Sequence, residues 1–158
     1  MAGSKDTPGV IAPPPLIFLG FVLLGWALER YVLTDLSLGL PDMVRRWGAV
    51  ILGVAGFALE AAAAERFRAK RTAVEPWKPT TALATDGIYR LTRNPIYLGF
   101  TVIYAGLALG MDSPVAMGLI LPCLIVIDRF VIAREERYLE AKFGQAYRDY
   151  KARVRRWL

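Results

Sequence analysis

Four runs of apolar residues, separated by charged or proline-punctuated segments, dominate the pattern along this 158-residue chain. A bilayer hydrocarbon core about 30 Å thick takes roughly 20 largely apolar residues as a helix. The first run covers 13–33 and is interrupted near its end by Glu29 and Arg30. The second covers 47–64, "WGAVILGVAGFALEAAAA", with Glu60 as its one charge and small residues that let a neighbouring helix approach closely. From Pro95 to Ile127 the one charge is Asp112, inside "GMDSP", a turn signal that divides the run into helices over 95–111 and 113–127. These read as a helical hairpin with short arms, which must tilt little, extend into flanking residues or sit in a locally thin bilayer.

Beyond the hairpin the period changes. Ile132, Leu139, Phe143, Tyr147, Tyr150, Val154 and Trp157 recur at spacings of seven, four and three, one narrow stripe on a helix that lies on a membrane or on its own protein. Gly144 leaves a second arrangement open, two shorter helices joined at "FGQ". The expected fold is therefore all-α and integral to a membrane: a single domain over 1–158 with about four transmembrane helices, a cytoplasmic loop and an amphipathic C-terminal helix.

Composition and charge sharpen this picture. Apolar residues make up 55% of the chain, more than a soluble domain of this size carries. The net charge of +6 then reads as positive loops at the cytoplasmic face rather than as a nucleic-acid surface. Residues 65–93 hold seven Lys/Arg, and the tail from Arg129 adds nine. Both are expected inside, the N-terminus with them, which puts 35–46 and the "GMDSP" turn outside; Arg45 and Arg46 run against that assignment. Lys5 and "PPP" precede the first run with no small-residue cleavage pattern after it, as for a first membrane helix rather than a cleaved signal.

With no histidine and one cysteine, Cys123 in an apolar run, the common zinc, haem and disulfide architectures and any histidine triad are excluded, and no metal site is expected. No dinucleotide fingerprint, phosphate-binding loop lysine motif or H-E-x-x-H occurs. Chemistry must run on carboxylates, Arg, Lys, Tyr and a bound cofactor.

Two places could carry it. In "DGIYRLTRNPIYLGF" (86–100), Asn94 and Pro95 form an N-cap and first-turn pair, so a helix begins there and enters the bilayer. Its positive dipole end, with Arg90 and Arg93 beside it, favours an anionic group. The same residues also suit a plain positive anchor with Tyr89 and Tyr97 at the interface. The second place is Glu135 and Glu136, which the helical wheel sets at the edge and well inside the apolar stripe. Either they pair with Arg129, Arg134 or Arg137 at the water line, or they meet a cationic ligand. Between the second and third runs, "TAVEPWKPTTALATDGIY" has too many breakers for a helix and reads as an ordered loop held by Trp77 and Leu83, or else as a linker.

Taken as a pair, "TTALATDGIYRLTRNPIYLG" and "EERYLEAKFGQAYRDYKARV" resemble the isoprenylcysteine carboxyl methyltransferase and phospholipid methyltransferase superfamily over about residues 70–157. The resemblance implies an integral membrane enzyme of small bacterial type, in the inner membrane, with termini and active site cytoplasmic. It implies S-adenosylmethionine as cofactor, held by regions 78–98 and 129–157. Thr81, Ala82, Leu83, Ala84, Tyr89, Asn94, Pro95, Ile96 and Tyr97 would line its site. Glu135 and Glu136 would meet its cationic end and Arg93 its anionic end, with Arg93 and Glu136 nearest the chemistry. The prenylcysteine enzymes have Arg-His-Pro where this chain has Arg93, Asn94 and Pro95. They also place an arginine, associated with the substrate carboxylate, where this chain has Val131; Arg129 and Arg134 are its neighbouring substitutes.

The implied acceptor is lipid-like or hydrophobic, methylated on a carboxyl oxygen or a phospholipid amine. The competing class is a non-enzymatic small membrane protein that binds lipid or a protein partner through the basic tail and interfacial aromatics. A transporter fits less well, because only Glu60 lies deep in a span.

Overall fold

The computed structural model describes residues 6–34, 36–72 and 78–158, and Trp77, expected to hold the loop, lies outside them. Among the described residues the chain is helical, without strands. The order is α1 (Pro14–Tyr31), α2 (Asp42–Ala69), a 3₁₀ turn (Gly87–Arg90), α3 (Pro95–Gly110), α4 (Pro114–Val126), a π-helical turn (Ile127–Ile132), α5 (Ala133–Phe143) and α6 (Gln145–Arg153).

Two helical stretches are long and apolar enough to cross a membrane: α2, and the continuous stretch Pro114–Phe143 that joins α4, the π turn and α5. The span expected over 113–127 covers its apolar first half, before Asp128. Of the four expected spans, the other two are shorter or more charged: α1 has 18 residues and carries Glu29 and Arg30, and α3 has 16. Leu16, Leu19, Leu23 and Leu24 of α1, Val50, Ile51, Val54 and Phe57 of α2, and Leu121 and Ile125 of α4 are exposed. An apolar exterior this extensive is a surface for lipid rather than water.

The small residues of the second run act as expected. A Cβ on Gly56 would come within 2.7 Å of the Gly99 carbonyl oxygen, and one on Gly99 within 2.9 Å of the Gly56 oxygen, so α2 and α3 meet backbone to backbone. The α1–α4 contact repeats the device, since a Cβ on Gly25 would fall 2.6 Å from the Ala116 Cα. Buried Phe18, Val22, Tyr104, Ala108, Ala116, Cys123 and Ile127 fill the space among α1, α3 and α4.

At the end of the bundle away from the basic loops, the hairpin turn is built from its own letters. Asp112 takes a positive φ of 57°, and Ser113 Oγ accepts a hydrogen bond from Ala116 N at 3.0 Å to cap α4 ahead of Pro114. The Asp112 carboxylate accepts from Leu38 N and Ser37 Oγ, each at 3.0 Å, and lies 3.6 Å from Arg45. Arg45 also pairs with Asp42. Of the two arginines that run against the positive-inside pattern, Arg45 thus faces two carboxylates and Arg46 lies 3.7 Å from Asp42.

The C-terminal stripe breaks into two helices at Gly144, whose φ of 55° suits glycine. It lies on its own protein: Ile132, Tyr147 and Tyr150 are buried, while Leu139, Phe143, Val154 and Trp157 pack against the two cores.

Candidate active site

A pocket with a cavity volume of about 110 Å³ opens where the start of α3, the loop 80–84, the end of α2 and helices α5 and α6 converge. Ala82, Leu83, Ala84, Tyr89, Arg93, Asn94, Pro95, Ile96, Tyr97, Glu135 and Glu136 all line it. Thr81 does not; its backbone N donates to Thr72 Oγ1 at 2.8 Å and its hydroxyl to the Arg71 carbonyl at 3.2 Å, tying the loop to the end of α2. Its neighbour Thr80 lines the pocket instead and donates its N–H to Tyr138 Oη at 3.1 Å. Arg90, expected beside the helix mouth, is exposed on the 3₁₀ turn and is not part of the wall.

The floor is apolar and aromatic. Ala63, Ala84, Tyr89, Tyr147 and Tyr150 form a buried cluster with Phe67, Leu83, Ile96 and Leu139. Phe67 meets Tyr89 edge to face at 5.6 Å, and Tyr150 Oη donates to the Tyr89 carbonyl at 2.7 Å, which fixes the 3₁₀ turn against α6. Burial raises the phenols of Tyr89, Tyr147 and Tyr150 above their ordinary value, so they serve as neutral groups.

The two glutamates, adjacent in sequence, have different surroundings. Glu136 is buried at 6% exposure and fully partnered. Arg93 Nη2 lies 3.0 Å from Oε1, while Arg156 reaches Oε1 through Nε at 3.1 Å and Oε2 through Nη2 at 2.6 Å. Arg156 Nη1 also donates to both oxygens of Asp128, at 3.0 and 2.9 Å. The result is an alternating network of two arginines and two carboxylates, in which each buried charge has an opposite neighbour. Arg129, Arg134 and Arg137, the partners expected from the wheel, are engaged elsewhere: with Asp128 at 3.9 Å, the Gly9 carbonyl and the Ala133 carbonyl respectively. They sit on the helix's outer side, whereas the partners of Glu136 come from the segment before α3 and from the tail.

Glu135 accepts a hydrogen bond from Tyr97 Oη at 2.5 Å, and no ion pair to it occurs among the described residues. Burial pushes its carboxyl up to about 7, the Tyr97 hydrogen bond pulling the other way and Glu136 adding to the rise. Arg93, with a 9% exposed side chain, leaves Nε and Nη1 buried without a hydrogen-bond partner among the described residues. One pocket therefore holds an uncompensated carboxylate and a guanidinium with unmet donors. A ligand carrying both a cation and an anion would complete it.

Asn94 occupies the N-cap position of α3, but its side chain makes no cap. Its Nδ2 instead donates 2.9 Å to the Arg156 carbonyl, which also accepts from Thr92 Oγ1 at 3.1 Å. The first-turn N–H groups of Ile96 and Tyr97 are thereby left without a side-chain cap at the pocket wall. Asp128, Tyr138 and Arg156 were not singled out from sequence. Arg156 lies outside the helical pattern that drew attention to the glutamates, and the signal that could have found it is an acid count: three buried-side carboxylates require more cations than Arg93.

Protein-S-isoprenylcysteine O-methyltransferase B of Arabidopsis thaliana is 33% identical over 75 residues, 46% of this chain and 36% of the plant protein. Protein-S-isoprenylcysteine O-methyltransferase of Schizosaccharomyces pombe is 35% identical over 72 residues, 46% of this chain and 30% of that enzyme. The chain thus aligns with about a third of the length of these relatives. An uncharacterized protein of Haemophilus influenzae is 44% identical over 63 residues, 40% of this chain and the whole of that protein. Since the sequence model of the family described as phospholipid methyltransferase matches residues 44–146, about two thirds of the chain, this membrane protein belongs to the phospholipid methyltransferase family.

Proposed function

We propose that the protein is an S-adenosylmethionine-dependent methyltransferase with its pocket at the cytoplasmic membrane face, acting on a lipid-like or hydrophobic acceptor. The observation that carries this reading is the pairing, in one pocket, of the open Glu135 carboxylate with the two unpartnered donors of Arg93. S-adenosylmethionine has an ammonium, a sulfonium and a carboxylate, and so matches both. The names of the plant and yeast relatives support transfer to a prenylated cysteine carboxyl, and the family description supports a phospholipid amine.

The cofactor supplies an already activated methyl group, so displacement needs alignment and dryness more than a proton relay. In this reading Glu135 holds the cationic end, and Arg93 with the uncapped start of α3 holds the anionic end. Leu83, Ala84, Tyr89 and Tyr97 exclude water, and Thr81 acts one step back by fixing the loop. Glu136, already paired with Arg93 and Arg156, sets the position of Arg93 rather than meeting the ligand. A carboxylate acceptor needs no base, whereas an ammonium acceptor must first lose a proton. The basic segments 65–93 and 129–156 lie at the pocket end, which supports a four-span arrangement with α1 and α3 as its shorter members and both termini inside.

Calorimetric titration of S-adenosylmethionine into the detergent-purified protein tests the reading, and no saturable binding by a folded wild type refutes it. Labelled methyl transfer to a lipid extract, followed by base treatment, then separates labile esters from stable N-methyl products and identifies the acceptor chemistry.

A further inference from the structure

Arg156 stands near the C-terminus, beyond the segment 44–146 that the family model covers, yet it makes most of the contacts to the buried glutamate of the pocket. Its side chain spans Glu136 of α5 and Asp128, which lies in the first part of the π turn. Its backbone is bound at the same time to the segment that opens α3. The Arg156 carbonyl accepts from Thr92 Oγ1 at 3.1 Å and from Asn94 Nδ2 at 2.9 Å, and the Arg155 carbonyl accepts from Arg93 N at 3.0 Å. Trp157 Nε1 donates to Asp128 at 3.3 Å. The tail therefore joins the two walls of the pocket, one carrying Arg93 and Asn94, the other Glu135 and Glu136.

We infer that Arg156 is a positioning residue for this pocket: by occupying both oxygens of Glu136 it keeps Arg93 from being consumed as that acid's sole counter-ion, so that Arg93 retains donors for an anionic ligand group. The inference rests on the methyltransferase reading of the pocket. Its physical basis is the asymmetry of charge pairing. Removing one partner of a buried pair leaves the other charge seeking compensation, and the nearest remaining cation for Glu136 is Arg93 at 3.0 Å. Without Arg156, Arg93 turns further onto Glu136, and Asp128 loses its bidentate partner. The arginine fork is essential here, since Nε and Nη2 face one carboxylate while Nη1 faces another. A lysine places one point charge and cannot serve both acids in that geometry.

The test is a double-mutant cycle on S-adenosylmethionine affinity, measured by calorimetry with the full chain in detergent, using wild type, Arg156→Ala, Glu136→Gln and the double variant. Arg156→Ala is expected to weaken binding about 10- to 100-fold, around the low end of what truncating one partner of a buried charge pair costs, because it acts on the ligand through Glu136 and Arg93. In the Glu136→Gln background the same substitution should change affinity by less than about threefold, because the acid through which Arg156 acts is gone. Free guanidinium should restore part of the affinity of Arg156→Ala and leave wild type unaffected. Where Arg156→Ala does not purify as a monodisperse protein, Arg156→Lys carries the test, with an expected loss of about tenfold that Glu136→Gln also abolishes. Wild-type affinity in Arg156→Ala or Arg156→Lys, or equal losses in both backgrounds, overturns the positioning role while leaving the enzyme reading intact. Failure of wild type itself to bind overturns both, and that result is distinct from the others.

Discussion

Glu135 gives the pocket a pH dependence that can be worked out from its surroundings. Its carboxyl titrates at about 7, and only its charged form attracts a cation. Binding of a cationic ligand should therefore strengthen as pH rises through 7. The charged fraction climbs from about one tenth at pH 6 to about nine tenths at pH 8, a gain of about tenfold in affinity, or about 1.4 kcal/mol. Glu135→Gln should bind about 10- to 100-fold more weakly than wild type at pH 8, the value of a charge-assisted hydrogen bond being about 1.5–3 kcal/mol. Titration calorimetry of S-adenosylmethionine at pH 6, 7 and 8, on both proteins, measures this. The readout is the ratio of wild-type to variant affinity, because ionisation of the ligand's own groups affects both alike. A ratio that stays flat between pH 6 and 8 would refute the assignment of Glu135 as the titrating contact. The same reasoning has a stability side with the opposite direction. An acid whose folded-state value lies above its unfolded value loses stability as pH rises between the two, here from about 4.5 to about 7. Ligand-free Glu135→Gln should therefore melt higher than wild type at pH 8 and converge with it below about pH 4.5.

Other substitutions test the frame around the pocket. Gly99→Val pushes a branched side chain against the Gly56 carbonyl oxygen, 2.9 Å from where its Cβ would stand, and should cost about 1–3 kcal/mol in thermal unfolding in detergent. Asn94→Asp replaces the donor that meets the Arg156 carbonyl with an acceptor; a loss of about 1–3 kcal/mol is expected, together with faster removal of the tail by carboxypeptidase, while Thr92→Ala should act in the same direction but more weakly. Gly144→Ala forces a side chain into a positive-φ position and should lower the melting temperature by the equivalent of about 1–2 kcal/mol, with hydrogen exchange rising first in α6.

Hydrophobic patterning alone determined a great deal of this protein. The positions of the apolar runs, the hairpin turn at "GMDSP" with Asp112 and Ser113, and the small-residue seam of α2 follow from chain-local rules, because membrane helices satisfy their own backbone and turns use a few residue types. The acids on an apolar stripe demanded a partner, but their pairing with the "RNPIY" segment came from the family resemblance and not from the pattern itself. What each acid does was not legible in the sequence. On a regular helix Asp128 and Glu136, eight residues apart, would point about 80° away from each other; the π turn absorbs about one residue's rotation and brings them onto one side, where a single arginine meets both. That arginine arrives from the tail, and Asn94 abandons the cap its sequence predicts in order to hold it there. Which glutamate stays open and which is closed depends on contacts between residues 20 to 60 apart along the chain. Only the packed structure could decide that, because charge compensation in a buried site is settled by distance in space and not by order in sequence.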